Sequence, residues 1–328
     1  MINSVRNTVL AIINKNNYGY ISPSDFNLFA KQAQLDIFES YFYQYNRQLN
    51  KENARLSGSG VADLAKSIEE SIDLFSMVNG LNFSSDNNYF MPSLTTTGDD
   101  YYFVNKVLVY KTLITSGVTS AFKGPGNNIL TDATANFTSA LLGIVPGDIV
   151  GVQTTTQGVQ YVKVVTVTDN NNITVTGTIL SAAGFGYTII KTGTQQNEAE
   201  KVSPSKITML TNSIYTAPTT TYPSYTSSEA LLSIYPTTVG NVGMVTAQYY
   251  RYPKDPMWTY QTLASGEPVF DQSLADFQDF ELPLDDESNL IMKILQYAGV
   301  SIREADVYAF AKDETAEAVS YTHLTLPT

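Results

Sequence analysis

Helical spacing at both ends of the chain and strand-like alternation between them predict an α+β fold, and a Gly- and Thr-bounded run of short strands predicts an inserted all-β part. The expected architecture is an N-terminal three-helix segment and a C-terminal helical hairpin packed with a β-sheet region, plus an inserted small all-β barrel or sandwich. Residues 1–116 and 197–318 form the discontinuous α+β core in this reading, and residues 117–196 the inserted β-module. At 328 residues, 43% of them hydrophobic, the chain can fill two domains of roughly 150 residues each.

Ile2, Val5, Val9 and Ile12/Ile13 recur at helical spacing, so residues 2–13 form the first helix. The stretch that follows can be laid on the calcium-loop pattern, with Gly19 at the sharp turn, Ile21 at the hydrophobic position and Asn14, Asn16, Tyr18 and Asp25 at ligand positions. One carboxylate cannot hold a hard dication, and Asp25 is too short for a bidentate glutamate's reach. Asn14, Asn16 and Asp25 are therefore read as non-binding. The residues instead make a turn at 17–19 and a helix start, with Ser22 as cap, Pro23 first and Asp25 third.

The helix from 23 to about 50 carries a wide stripe of Phe26, Phe29, Ala33, Ile37, Phe38, Tyr41, Phe42 and Tyr45. Such a stripe is core or subunit interface. A third helix is expected over 61–77 from Leu64/Ala65, Ile68, Ile72 and Phe75. The period then changes, and residues 101–110 read as a strand after a turn at Asp99-Asp100. Those two acids are adjacent, so on a strand they point to opposite faces and do not converge for acid–base work.

Within the β-module, Pro146-Gly147-Asp148 turns into Ile149-Val150-Gly151-Val152, and residues 161–167 and 173–176 are strands joined by Asp169-Asn170-Asn171-Asn172. Residues 231–236 and 242–253 are expected to be two strands joined at Gly240-Asn241. Near the C-terminus, Leu290, Ile291, Ile294, Leu295 and Ala298 define a helix over 284–298. Asp285, Asp286 and Glu287 favour its start, and Gly299 suits the left-handed position that ends it. Ser301-Ile302-Arg303-Glu304 reads as a capping box opening a second helix with Val307, Phe310 and Ala311 on its apolar side. That hairpin needs cover from earlier in the chain.

Charged residues are only 15%, below the roughly 25% of soluble domains, while tyrosine reaches 22. A Tyr-, Thr- and Asn-rich surface of low charge suits permanent contact with other subunits; the same composition also describes a Thr-rich β-protein. The interface candidates are Phe29, Phe38, Tyr41, Phe42, Tyr45, Tyr297, Tyr308 and Phe310. A net charge of −12 argues against a general nucleic-acid-binding surface. No cysteine excludes disulfides and thiol chemistry. With no run of about 18 apolar residues and no signal peptide, a soluble protein with no membrane partner is expected.

Residues 319–328, with Ser320-Tyr321-Thr322-His323-Leu324, resemble translated read-through of a transposase sequencing adapter. The expected native sequence therefore runs to about Ala318, and the single histidine, His323, falls outside it.

Three pieces together resemble a known family. They are Val5-Arg6-Asn7-Thr8-Val9-Leu10 with Gly19-Tyr20-Ile21-Ser22-Pro23 and Phe26-Asn27-Leu28-Phe29-Ala30; Ile234-Tyr235-Pro236 with Tyr250-Arg251-Tyr252-Pro253; and Asp279-Phe280-Glu281-Leu282-Pro283-Leu284 leading into Ile294-Leu295-Gln296-Tyr297-Ala298-Gly299. They resemble virion structural proteins of the crAss-like tailed phages, being similar to neck or tail ring proteins and more loosely to head–tail adaptors of short-tailed phages. The likeness spans about 1–110 and 197–318. The β-module, with Leu130-Thr131-Asp132, Asn136-Phe137, Pro146-Gly147-Asp148 and Gly186-Tyr187-Thr188-Ile189, resembles modules of phage structural proteins.

The resemblance implies a homo-oligomeric ring subunit of the virion, made in the bacterial cytoplasm, that meets the portal and other neck or tail proteins while DNA passes through without specific binding. A second reading is a host-glycan or partner-binding protein in which Tyr161, Phe185 and Tyr187 of the β-module stack on sugars. A third is a glycan hydrolase using two of Asp276, Asp279 and Glu281. These acids lie at a helix entrance, where acids are expected anyway. No metal cluster, nucleophile–base pair or phosphate loop is legible, so no cofactor and no catalysis are expected.

Overall fold

The computed structural model describes residues 1–14, 21–53, 64–123, 126–154, 158–179, 181–193, 195–228 and 230–301. The protein is mixed α+β. It divides into two compact units: one combines Met1–Phe75 with the segment from Pro253 onward, and the other is Ser76–Tyr252. The division falls at 75/76 and 252/253, not at the expected 116/117 and 196/197.

The first unit opens with α1 (Ile2–Ile13), α2 (Pro23–Asn53) and α3 (Leu64–Asp73). The start of α2 follows its local chemistry. Ser22 Oγ accepts the Asp25 amide at 3.1 Å and donates to the Asp25 carboxylate at 2.7 Å, while Pro23 needs no amide partner at the first position. The apolar faces are buried through Ile2, Val5, Val9 and Ile13 of α1 and Phe26, Ala30, Ala33, Ile37, Phe38 and Tyr41 of α2.

The second unit is built from β1 (Ser76–Gly80), β2 (Phe83–Ser85), β3 (Asn88–Phe90), β4 (Tyr101–Tyr110), β5 (Leu113–Val118), β6 (Ala121–Lys123), β7 (Ile129–Thr131), β8 (Ile149–Gln153), β9 (Val159–Val167), β10 (Asn172–Val175), β11 (Gly186–Ile190), β12 (Gln196–Glu198), β13 (Glu200–Lys201), α4 (Pro204–Thr211), β14 (Ser224–Ser228), β15 (Leu231–Tyr235) and β16 (Val245–Arg251). A large sheet runs β12-β4-β16-β1-β9-β10-β7-β6, with β11 pairing β5 and β8, and β8 pairing β9; a smaller one runs β13-β14-β15-β3-β2.

Two cores fill this unit. In the first, Val245, Ala247 and Tyr249 of β16 share one face and meet Leu232 and Ile234 of β15, Tyr225 of β14 and Tyr89 of β3. The second joins Leu130, Phe137, Val150, Val162, Val164, Ile173 and Ile189, all within the expected β-module, with Ile114 from just before it packed against them. The module thus has its own interior, yet its strands continue the large sheet. Tyr161 on β9 packs against the first core and donates its hydroxyl to the Gly243 carbonyl at 2.9 Å.

The expected pairing of 231–236 with 242–253 is not formed. β15 lies between β14 and β3 in the small sheet, and β16 lies between β4 and β1 in the large one. Both strands alternate apolar residues, and each turns that face to the same core from opposite sides. Alternation alone cannot separate that arrangement from a hairpin.

The chain returns to the first unit through β17 (Tyr260–Thr262), β18 (Pro268–Phe270) and α5 (Glu287–Ser301), the last preceded by a 3-10 turn at Leu284–Asp286. α5 packs on α2 and α1, with Leu290, Ile294, Leu295 and Ala298 inaccessible to solvent. This is the cover the apolar faces required, and each large side chain contributes about 1.5–3 kcal/mol by its burial. The helix runs through Gly299 to Ser301, so Gly299 is an interior helical residue and not the stop. A glycine there costs about 1 kcal/mol, which packing of this face offsets. The second helix of the expected hairpin, with Val307, Tyr308, Phe310 and Ala311, lies outside the described residues.

Gly243 joins the two cores at φ +74°, where an added Cβ meets the Gly151 Cα at 3.2 Å, whereas Gly98 at φ +86° has open space around it. Gly98→Ala is expected to cost about 1–2 kcal/mol from backbone strain alone, and Gly243→Ala about 3 kcal/mol because overpacking adds to it. Urea unfolding of both variants measures the difference; equal losses would disprove the close approach.

Candidate functional site

Two of the three carboxylates singled out for acid–base chemistry, Asp279 and Glu281, tie distant parts of the chain together. Asp279 accepts the Ile2 amide and the Phe280 amide, each at 2.8 Å, and the terminal ammonium at 2.9 Å. It supplies the cap that α1 lacks locally, since Met1 offers no side-chain acceptor. Glu281 accepts the Lys254 amide at 2.8 Å and donates its own amide to Gln34 Oε1 at 3.0 Å, while Gln34 Nε2 donates to the Lys254 carbonyl at 2.8 Å. Asp276 stands exposed on the surface. Backbone amides thus occupy the carboxylates of Asp279 and Glu281.

Trp258, the single tryptophan, anchors the returning segment. Its ring lies under the Arg6 guanidinium at 3.8 Å, its indole N–H donates to Asn3 Oδ1 at 3.1 Å and its backbone amide to Asn27 Oδ1 at 2.9 Å. One buried ring thereby ties α1, α2 and the base of the β17–β18 hairpin.

The interface candidates lie in different environments. Phe38 is fully buried, edge-on to Phe42 at 5.1 Å and Phe75 at 4.8 Å. Tyr41 is buried and donates to the Asp286 carboxylate; burial, then that bond and that charge, push its phenol far above the ordinary range. Tyr297 donates to Asp36 at 2.5 Å and is pushed up to about 12 by burial, with Asp36 adding to the shift. Phe38, Tyr41 and Tyr297 are therefore internal ties of their own unit. Phe29, Phe42 and Tyr45 are half-buried, and Tyr308 and Phe310 lie outside the described residues. Leu28 and Tyr43 are the large apolar side chains that α2 exposes; they sit off the stripe, the only signal periodicity offers.

For the calcium-loop reading, Asn14 and Asp25 are described and Asn16 is not. The Asp25 carboxylate is bonded to Ser22 at the start of α2. Among the described residues, no group of three or more His, Cys, Asp or Glu side chains is placed to hold a metal ion.

Two aromatic rings of the β-module, Phe137 and Tyr187, are buried in its core. Tyr187 is buried beside Phe137 and donates to Asp132 Oδ2 at 2.7 Å. Gly117 makes this possible, since a Cβ there would meet that carboxylate oxygen at 2.5 Å. Burial acts to raise the Asp132 pKa, but bonds from Thr134 and Tyr187 outweigh it and hold the group below its ordinary 3.8. Tyr161 is raised well above 10.0 by burial, and Tyr187 is raised by burial with Asp132 adding to it. Phe185 is half-buried. Asp148, fully buried, accepts the Val145 and Thr192 amides at 2.9 Å and Lys191 Nζ at 3.3 Å. Of the rings expected to stack on sugars, Tyr161 and Tyr187 are packed against cores.

The surface carries bulky apolar side chains on ordered turns. Leu141 in the β-module is 98% exposed, and Ile214 and Tyr215 in the turn after α4 are 96% and 99% exposed. Charge is unevenly spread: from 253 to 301, Lys254 and Lys293 stand against nine acids. Among the described residues, no helix is long and apolar enough to cross a membrane. No protein-family model and no curated protein matches this chain.

Above pH 10.0 the unfolded chain releases phenol protons that Tyr161 and Tyr187 retain when folded. The folded state then binds more protons, so stability falls as pH rises, by about 1.4 kcal/mol per pH unit for each such tyrosine. Tyr187→Phe is expected to cost about 1–3 kcal/mol at neutral pH through the lost donor and to flatten the alkaline slope by one tyrosine's share. Denaturant midpoints between pH 7 and 11 read both; an unchanged slope would show that Tyr187 ionises freely in the folded chain.

Proposed function

We propose that this chain is a non-enzymatic structural subunit of a tailed-phage virion, forming a ring in the neck or tail below the portal that joins head to tail and surrounds the DNA channel. The observation that carries the assembly part is the presence of bulky apolar side chains held almost fully exposed on ordered turns, Leu141, Ile214 and Tyr215. Single exposed apolar residues are ordinary. An adjacent Ile-Tyr pair at a turn apex gains about 1.5–3 kcal/mol per side chain on meeting a partner. The phage part rests on the sequence resemblance over 1–110 and 197–318. The acids of the returning segment suit a wall past which DNA slides without sticking.

Two further observations favour assembly over chemistry. Asp279 and Glu281, two of the three acids a glycan hydrolase would draw on, are occupied by backbone amides. Tyr161 and Tyr187, which sugar stacking would need, belong to cores. Electron micrographs of the purified chain, alone and mixed with portal protein, are expected to show rings of one size. A chain that stays monomeric in both mixtures overturns the reading.

Leu141 favours a second reading for the β-module, contact with another tail or host protein through the loop that carries Leu141 and Val145. Excising the module is no fair test, because β8, β9 and β11 belong to the large sheet and Tyr161 packs on the other core. Leu141→Glu changes only the surface. Particles that assemble with this substitution but fail to adsorb support the second reading, whereas normal adsorption removes it.

A further inference from the structure

We infer that the turn following α4 on one copy docks against the β17–β18 hairpin of a second copy, a head-to-tail contact that rests on the ring reading above. The turn is built before it meets anything. The Ser213 amide donates to the Leu210 carbonyl at 3.3 Å, the Ala217 amide to the Ser213 carbonyl at 2.9 Å and Thr216 Oγ1 to the Leu210 carbonyl at 3.1 Å. Ile214 and Tyr215 project from its apex, flanked by the exposed Met209 and Tyr222. Because the backbone is already ordered, docking costs little conformational entropy.

The hairpin has the complementary deficiency. Its two strands pair Tyr260 with Phe270, Gln261 with Val269 and Thr262 with Pro268, and among the described residues no other strand joins either edge. A two-stranded ribbon is marginal alone. This one is held at its base, where Trp258 stacks on Tyr260 at 5.5 Å and on Phe270 at 5.9 Å. Every residue of β17 is exposed, and Leu263, Val269 and Leu274 face solvent nearby.

Charge selects which surfaces meet. From Lys201 to Ser228 the chain carries Lys201 and Lys206 and no acid. Around the hairpin, from Tyr260 to Asp276, it carries Glu267, Asp271 and Asp276 and neither lysine nor arginine. Hairpin on hairpin would oppose acid to acid, and turn on turn would oppose lysine to lysine; only turn on hairpin brings opposite signs together. A contact between two different surfaces of identical chains propagates, and it closes into a ring when the rotation allows.

The test uses two full-length double variants at exposed positions. Ile214→Asp with Tyr215→Asp removes the turn surface, and Glu267→Lys with Asp276→Lys inverts the hairpin's charge. Each is expected to raise the concentration at half-assembly by about tenfold or more while far-UV circular dichroism and melting stay as in the wild type. Mixed together, the two variants should give a species of two chains and nothing larger in sedimentation velocity, because each supplies the one surface the other lacks. Variants that assemble like the wild type, or a mixture that stays monomeric while the wild type forms rings, overturn this contact and leave the ring reading standing. A wild-type chain that remains monomeric overturns both.

Discussion

The two ends of the chain must share one hydrophobic interior, and the Asp279 carboxylate on the Ile2 amide is where that closure is made. Neither end is sufficient alone. α1 and α2 present apolar faces that α5 covers, and α5 buries Leu290, Ile294, Leu295 and Ala298 only because those faces exist. Trp258 completes the clasp by accepting Arg6 on its ring and engaging Asn3 and Asn27 with its N–H groups. Asp279 and Glu281, two of the acids of the returning segment, are therefore engaged in architecture.

Closing the first unit in this way loops out the whole of Ser76–Tyr252 as one body. Inside that body a different constraint operates. Two cores, each with its own strands, are joined where Tyr161 reaches from β9 to the carbonyl of Gly243, and glycines at 151 and 243 let the backbones approach. The β-module has an interior of its own, with Asp132 and Asp148 as buried polar anchors, yet it is hydrogen-bonded into the large sheet. The stretch expected as an insertion is, in space, a continuous part of a sheet.

The functional reading follows from what these two solutions leave over. Asp279 and Glu281 serve backbone amides, and Tyr161 and Tyr187 are bonded inside their own unit. The surface keeps ordered apolar turns, a hairpin with open edges and a charge split between a basic turn and an acidic returning segment. Those features support the proposed ring subunit, and they agree with the tyrosine-rich, weakly charged composition.

By itself the sequence determined the elements whose signals are local. The Ser22-Pro23-Asp25 start of α2, the span of α1, the strand Tyr101–Tyr110 and the acids opening α5 were all legible, because capping and periodicity act within a few residues. Only the tertiary structure decided the rest. Which partner β15 and β16 would take, that Phe38 and Tyr41 face their own unit, that α5 passes through Gly299, and that Asp279 serves an amide 277 residues away all depend on what lies across the core. The physical reason is range: burial and register are properties of two surfaces in contact, and a single strand or helix carries only one of them.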